Sequence, residues 1–258
     1  MPLVGEAYSA TGAAWQAGPG RVYDRLAEVL VDLSPVPLRD RRVLDVGAGT
    51  GAASRAIRRV GGRPIACDVA VGMLAVDRRR RPPAIAADVR RLPVASRSCG
   101  ALVAAFSFNH VPDPHRALAE AARVVVPGGA VLASSYATDD DHPAKAAVDR
   151  AAREAGWVPE PWVDELRQRA MPRLATPAAA VAAAKRAGLR AEASVIEAEF
   201  PDLQAADLLA WRLGMAAVAP FVASLSDEGR RRLSARALDL IGEPEVLVRR
   251  MVVLRARL

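Results

Sequence analysis

Residues Val43 to Gly51 read VLDVGAGTG, a short apolar run carrying one acid and then glycine at 47, 49 and 51. A run this short, followed at once by glycines and then by a helical pattern through Val60, predicts a strand, a tight loop and a helix. Without a Cβ the loop backbone can approach a ligand closely, and the helix behind it offers unpaired N–H groups. The alternation continues. PIACDV (64–69) precedes a helix through Arg80, AIAADV (84–89) forms a third strand, and ALVAAFS (101–107) leads to a helix opened by Asp113 and Pro114. AVLASSY (130–136) follows a turn at Pro127, Gly128 and Gly129. Strands this apolar are covered on both faces, so the unit is an α/β sheet of mainly parallel strands whose ligand lies beyond their carboxyl ends.

Before this core, Gly20 to Leu33 has helical apolar spacing (Val22, Leu26, Val29, Leu30), and Pro35 and Pro37 end it. After Tyr136 the pattern predicts helices over Pro143–Gly156, Trp162–Ala170 and Pro177–Gly188. A strand follows over Leu189–Phe200, then helical sequence from Asp202 to Gly242, then a closing strand over Val246–Leu258. With no internal repeat and no low-complexity linker, residues 1–258 read as one domain. Its parts are an N-terminal helical cap (1–40), a ligand-binding core (41–137), helical inserts (138–188 and 201–242) and closing strands (189–200 and 245–258).

The net charge of +7 raises nucleic acid as a partner. Of the 36 basic residues, however, only Lys145 and Lys185 are lysine, and alanine is abundant, the bias of a GC-rich genome. Aromatic residues make up 4% of the chain, too few for a base-stacking platform. The run Arg78 to Arg81 reads as the solvated C-terminal end of a helix, where cations favour the dipole. Cys67 and Cys99 have no CxxC spacing and no signal peptide precedes them, so they read as reduced thiols in a cytoplasmic protein. The longest apolar stretch, Leu208 to Leu225, is interrupted by Arg212 and Pro220, and no membrane insertion is expected.

A dinucleotide fingerprint wants a third glycine where Ala52 stands, and no G-K-[ST] marks a P-loop. The loop therefore suits a ligand that brings a carboxylate and a nucleoside rather than a pyrophosphate. VLDVGAGTG resembles motif I of the class I S-adenosylmethionine-dependent methyltransferases, and other landmarks follow in that family's order. Asp68, in ACDVAVGML, matches the acid that binds both ribose hydroxyls. Asp88, in AADVRRLPV, matches the acid that meets the adenine amino group, with Val89 beside the base. FSFNHVPDPHRALAEAARVVVPGG resembles the fourth-strand loop, helix and fifth-strand turn of the ubiquinone-biosynthesis-like small-molecule methyltransferases. The likeness is close from Arg41 to Tyr136 and holds only in outline elsewhere. Cys99-Gly100 stands where the family often has Phe-Asp, and Ala70 where it often has Ser.

The resemblance implies a Rossmann-like, doubly wound, seven-stranded sheet with helices on both faces and a helical cap. It implies S-adenosylmethionine as cofactor and S-adenosylhomocysteine as product. The cofactor-binding residues it implies are Asp45, Gly47, Ala48, Gly49, Gly51 and Asp68, with Val69, Met73, Asp88, Val89, Ala105 and Phe106.

Transfer from a sulfonium is an in-line displacement, so alignment and exclusion of water are the protein's main tasks. His110, in the loop after the fourth strand, is the candidate general base; the plainer reading is a histidine that hydrogen-bonds the loop. Asn109 is a candidate for orienting the acceptor, and Tyr8 and Trp15 for binding it, with Tyr23 in the same leader; all three aromatics read equally as packing. LLAWRLGMAAVAPFVASL, with Trp211 and Met215, reads as core or as the roof of an acceptor pocket. Asp139, Asp140, Asp141 and His142 admit a magnesium reading, but a solvated acidic loop capping the helix at Pro143 is the preferred one, and no metal site is expected.

The expected activity is methylation of a small molecule on O, N or C, such as a secondary metabolite or a quinone-like compound. The rivals are a tRNA or rRNA methyltransferase, a cofactor-binding protein that does not methylate, and a nicotinamide oxidoreductase. The first is disfavoured by Phe106-Ser107-Phe108-Asn109 in place of an Asp/Asn-Pro-Pro-aromatic motif, and the last by Asp45 and Ala52. A homodimer is left open.

Overall fold

In the computed structural model, which describes residues 2–258, three helices precede the first strand: Pro2–Ser9 (α1), Gly12–Ala17 (α2) and Gly20–Asp32 (α3). The spacing of Val22, Leu26 and Leu30 puts them on one buried face of α3. Strands and helices then alternate: Arg42–Val46 (β1), Ala52–Arg59 (α4), Arg63–Asp68 (β2), Val71–Ala75 (α5), Ala84–Ala86 (β3), Cys99–Ala105 (β4), Pro114–Val124 (α6) and Val125–Tyr136 (β5). The remainder comprises Pro143–Glu154 (α7), Pro161–Glu165 (α8), Pro177–Arg186 (α9), Arg190–Phe200 (β6), Ala205–Leu213 (α10), Ala219–Ser224 (α11), Asp227–Ile241 (α12) and Leu247–Arg257 (β7).

The seven strands form one sheet in the order β3-β2-β1-β4-β5-β7-β6. The first five run parallel, and β7 pairs antiparallel with both β5 and β6. Alternate residues enter different cores. Val43, Ala101 and Val103 pack on one face with Leu26, Leu30 and Ile57, while Leu44, Leu102 and Ala104 pack on the other with Leu118 and Ala183. Both faces are thus covered, which explains why the strands read as continuous apolar runs. The chain turns one way from β1 to β2 and the other way to β4, so a crevice opens at the carboxyl ends of β1 and β4.

Four details differ from the sequence reading. The helix after β2 ends at Ala75 rather than Arg80, because Asp77 adopts a left-handed φ of 49° that a helix cannot continue through. β3 is shorter than AIAADV. Pro127, Gly128 and Gly129 lie inside β5, where the pairing with β4 shifts register between Cys99 and Ala101. The sequence from Asp202 to Gly242 divides into three helices, of which α10 and α12 pack with α7 around Trp157.

Candidate functional site

The glycine loop after β1 follows a path that side chains resist. Gly47, Gly49 and Gly51 have φ of 65°, 53° and 94°. A Cβ at Gly47 would also lie 2.2 Å from the Cβ of Ser107, so the loops after β1 and β4 could not come together. They are joined by the Ser107 hydroxyl, which donates to the Val46 carbonyl at 2.8 Å. The Gly49 N–H donates to Asp68 Oδ2 at 2.7 Å, and the Ala70 N–H to Asp68 Oδ1 at 2.8 Å, which ties the end of β2 to the same loop.

Arg81 is part of this construction, contrary to the expectation of a solvated helix end. Its Nη2 lies 3.0 Å from the carbonyls of both Gly49 and Met73. With α5 ending early, the chain turns back and carries the guanidinium onto the loop. A run of four arginines gives no sign of which one turns inward.

Three acids surround the crevice in different states. Asp45 is 1% exposed; Ser54 Oγ donates to its Oδ2 at 2.6 Å, and its Oδ1 has no partner. Burial pushes this carboxyl up to about 6, against the pull of the Ser54 hydrogen bond. Burial also raises Asp68, opposed by its backbone hydrogen bonds. Asp88 sits at the rim and is held below the usual carboxylate range by Arg90, whose Nε and Nη2 grip it and whose N–H donates to it at 2.8 Å.

These groups enclose a cavity of about 190 Å³. Of the residues expected to hold a cofactor, Asp45, Gly47, Ala48, Gly49, Asp68 and Val69 line it, as do Met73, Asp88, Val89, Ala105 and Phe106. Tyr8, Trp15 and His110 line it too. Gly51 does not; it caps α4 from behind the loop. Thr50, Arg90, Ser107, Val111 and Pro112 also line it; they lie within the motif stretches, where nothing in the sequence singles them out as site residues.

A second cavity, of about 340 Å³, adjoins the first. Tyr8, Tyr23, Phe106 and His110 line both. His110 stands in a single 3₁₀ turn, Phe108–His110, with Nε2 3.3 Å from the Tyr8 hydroxyl. Burial brings His110 down to about 4, so its ring is unprotonated at neutral pH, and burial raises the Tyr8 phenol. Asn109 faces the second cavity alone, buried and with Oδ1 unpartnered. Trp211 and Met215 line it as well.

The acidic stretch before α7 is in part the solvated, helix-capping loop expected, with Asp139 and Asp141 exposed, but Asp140 departs from that expectation. Asp140 is buried, ion-paired with Arg249, and accepts the Arg250 N–H at 2.8 Å. Asp139 pairs with Arg250 and Asp141 with Lys145, while His142 Nδ1 caps α7 by accepting the Ala144 N–H. The partners of Asp139 and Asp140 lie about a hundred residues away in the chain, which is why spacing alone did not reveal them.

Residues 44–133 match the methyltransferase domain family, and the seven-stranded sheet with its helices has the fold of solved methyltransferases. A demethylmenaquinone methyltransferase from Corynebacterium efficiens is 32% identical over 135 residues, 52% of this chain and 57% of that one. One from Renibacterium salmoninarum is 37% identical over 131 residues, 50% of this chain and 54% of that one. The chain therefore spans little more than half the length of these relatives. Among solved structures, an S-adenosylmethionine-dependent methyltransferase from Thermotoga maritima superposes with a TM-score of 0.55 at 15% identity, covering 100% of this chain and 99% of that one. Phosphoethanolamine N-methyltransferase 2 of Haemonchus contortus, solved with phosphomonomethylethanolamine and S-adenosylhomocysteine, gives 0.54 at 17% identity over 90% of this chain and 52% of that one.

Proposed function

We propose that the chain binds S-adenosylmethionine in the crevice beside the glycine loop and methylates a small-molecule acceptor held in the adjoining cavity. The observation that carries this reading is the wall the two cavities share, formed by Tyr8, Tyr23, Phe106 and His110. A donor and an acceptor seated on either side of it face each other with little room for water.

The residues present fit the cofactor. The bare, buried Oδ1 of Asp45 suits an ammonium group. Each Asp68 oxygen accepts one backbone N–H and retains a lone pair for a ribose hydroxyl. Asp88 and Val89 lie at the rim for the adenine, and Gly47 and Gly49 keep the loop clear of side chains. When bound, the sulfonium supplies an already activated methyl group. The protein's share is then orientation and water exclusion by Tyr8, Trp15 and Phe106, with Asn109 orienting the acceptor. His110 is the proposed proton acceptor; its low basicity suits an acceptor whose proton is acidic.

The demethylmenaquinone methyltransferases favour a quinone-like compound among small acceptors. The nucleic-acid reading is not favoured, because many exposed arginines are already paired with acids, among them Arg21, Arg55, Arg59, Arg231 and Arg236. The reading is of a cytoplasmic enzyme, supported by the two free, buried cysteines and by the lack, among the described residues, of a helix long and apolar enough to cross a membrane. Both cavities are lined by one chain, so it requires no dimer.

The test is incubation with methyl-labelled S-adenosylmethionine and a panel of quinols, phenols and amines. S-adenosylhomocysteine released in step with a labelled product supports the proposal. Tight cofactor binding with no turnover across the panel supports the non-methylating reading instead.

A further inference from the structure

The lining of the second cavity is unbalanced in charge and in hydrogen bonding. Lys145, Arg167, Arg212 and Arg249 face it against a single acid, Asp140. Arg249 is paired with Asp140, Arg212 with Asp149 through two hydrogen bonds, and Lys145 with Asp141. Arg167 has no ion-pair partner among the described residues, so the surroundings keep a net positive charge.

Three buried donors on this lining also lack acceptors: Arg249 Nε, Trp211 Nε1 and the Tyr136 hydroxyl. They belong to one cluster. The Arg249 guanidinium carbon lies 4.1 Å from the centre of the Tyr136 ring and 4.9 Å from that of Trp211. Arg249 is 5% and Trp211 3% exposed, so bulk water does not satisfy them freely. An arginine Nε–H and an indole N–H can only donate. A hydrocarbon in this cavity would leave all three unpaired, whereas an oxygen with several lone pairs would satisfy them, and a charged one most strongly.

We propose that the second cavity is the acceptor subsite and that its ligand is a ring-sized apolar molecule bearing an anionic oxygen, carboxylate or phenolate, received by Arg249, Trp211 and Tyr136. The apolar body rests on Phe106 and Met215. This inference builds on the reading that the neighbouring crevice holds the nucleoside cofactor.

Calorimetric titration of the intact chain, saturated with S-adenosylhomocysteine at pH 7.5, tests it with three probes: 2-naphthoate, 2,4-dinitrophenolate and the neutral 2-naphthalenemethanol. At least one anion is expected to bind about tenfold or more tighter than the alcohol, and the ratio of the two anions tells carboxylate from phenolate. Trp211→Phe and Tyr136→Phe, which each remove one donor and keep a ring in place, should each weaken the preferred anion about tenfold while changing the alcohol far less. Equal binding of anions and alcohol, or anion binding untouched by both variants, overturns the proposal. Binding of S-adenosylhomocysteine is read on the same samples, so failure of the cofactor reading shows there and is distinguishable.

Discussion

Ser54 donates its hydroxyl to one oxygen of Asp45 at 2.6 Å and leaves the other oxygen buried and bare. The carboxyl lies one residue before the end of β1, next to the glycine loop, and burial has raised it to about 6. A raised acid favours the folded state most below its unfolded value, near 3.8, and loses that contribution as pH rises through about 6. At pH 7.5 the ionised group therefore strains the ligand-free protein. Asp45→Asn, which keeps an acceptor for Ser54, should stabilise the ligand-free chain at pH 7.5 by about 2 kcal/mol, with the gain vanishing near pH 4. The same change should weaken S-adenosylmethionine binding, and binding to the unaltered chain should weaken as pH falls below about 6. Urea unfolding and calorimetry across this range check both; a variant that binds the cofactor normally would remove Asp45 from the site.

Asp68 joins β2 to the loop through the Gly49 N–H. Asp68→Ala should weaken S-adenosylhomocysteine binding by about 1.5–3 kcal/mol, since charge-assisted hydrogen bonds are lost. Calorimetry reads this directly, and unchanged affinity would count against the ribose assignment.

For His110 the pH profile is more telling than the rate alone. With its ring near 4, it stays unprotonated throughout the neutral range. Turnover at saturating cofactor should therefore show no histidine-like rise between about pH 5.5 and 7.5. His110→Ala should lower the rate by about 10²-fold or more with little effect on cofactor affinity. A limb centred near 6.5, or a rate indifferent to the substitution, would contradict the role.

Arg81 supports the loop from outside the cavity. Arg81→Met keeps much of the apolar stem but withdraws the hydrogen bonds to Gly49 and Met73. Cofactor affinity should fall by about 1–2 kcal/mol, with faster amide exchange across 47–51. Exchange unaltered in that segment would show that the loop holds its shape unaided.

The parallel core was legible because its punctuation is local: apolar runs closed by Gly47, Gly49 and Gly51, by Asp68 and by Asp113 with Pro114. The gathering of Asp45, Gly49 and Asp68 around one crevice follows from that topology. Partnerships between distant residues left no such mark. Arg81 lay hidden in a run of arginines, and Asp140 in a run of acids; each takes its place only when the fold brings up Gly49 or Arg249. Trp211 was ambiguous for a related reason, since its ring belongs to the core while the residue also lines the second cavity with its N–H unpartnered. Helical spacing reports the ring alone.

A crystal structure of the chain with S-adenosylhomocysteine tests the central claim most directly. The account predicts the nucleoside between the glycine loop and Asp68, its ribose hydroxyls on that carboxylate, and its amino group within hydrogen-bond reach of Asp45 Oδ1. The compound bound elsewhere, or the crevice empty at saturating concentration, would contradict it.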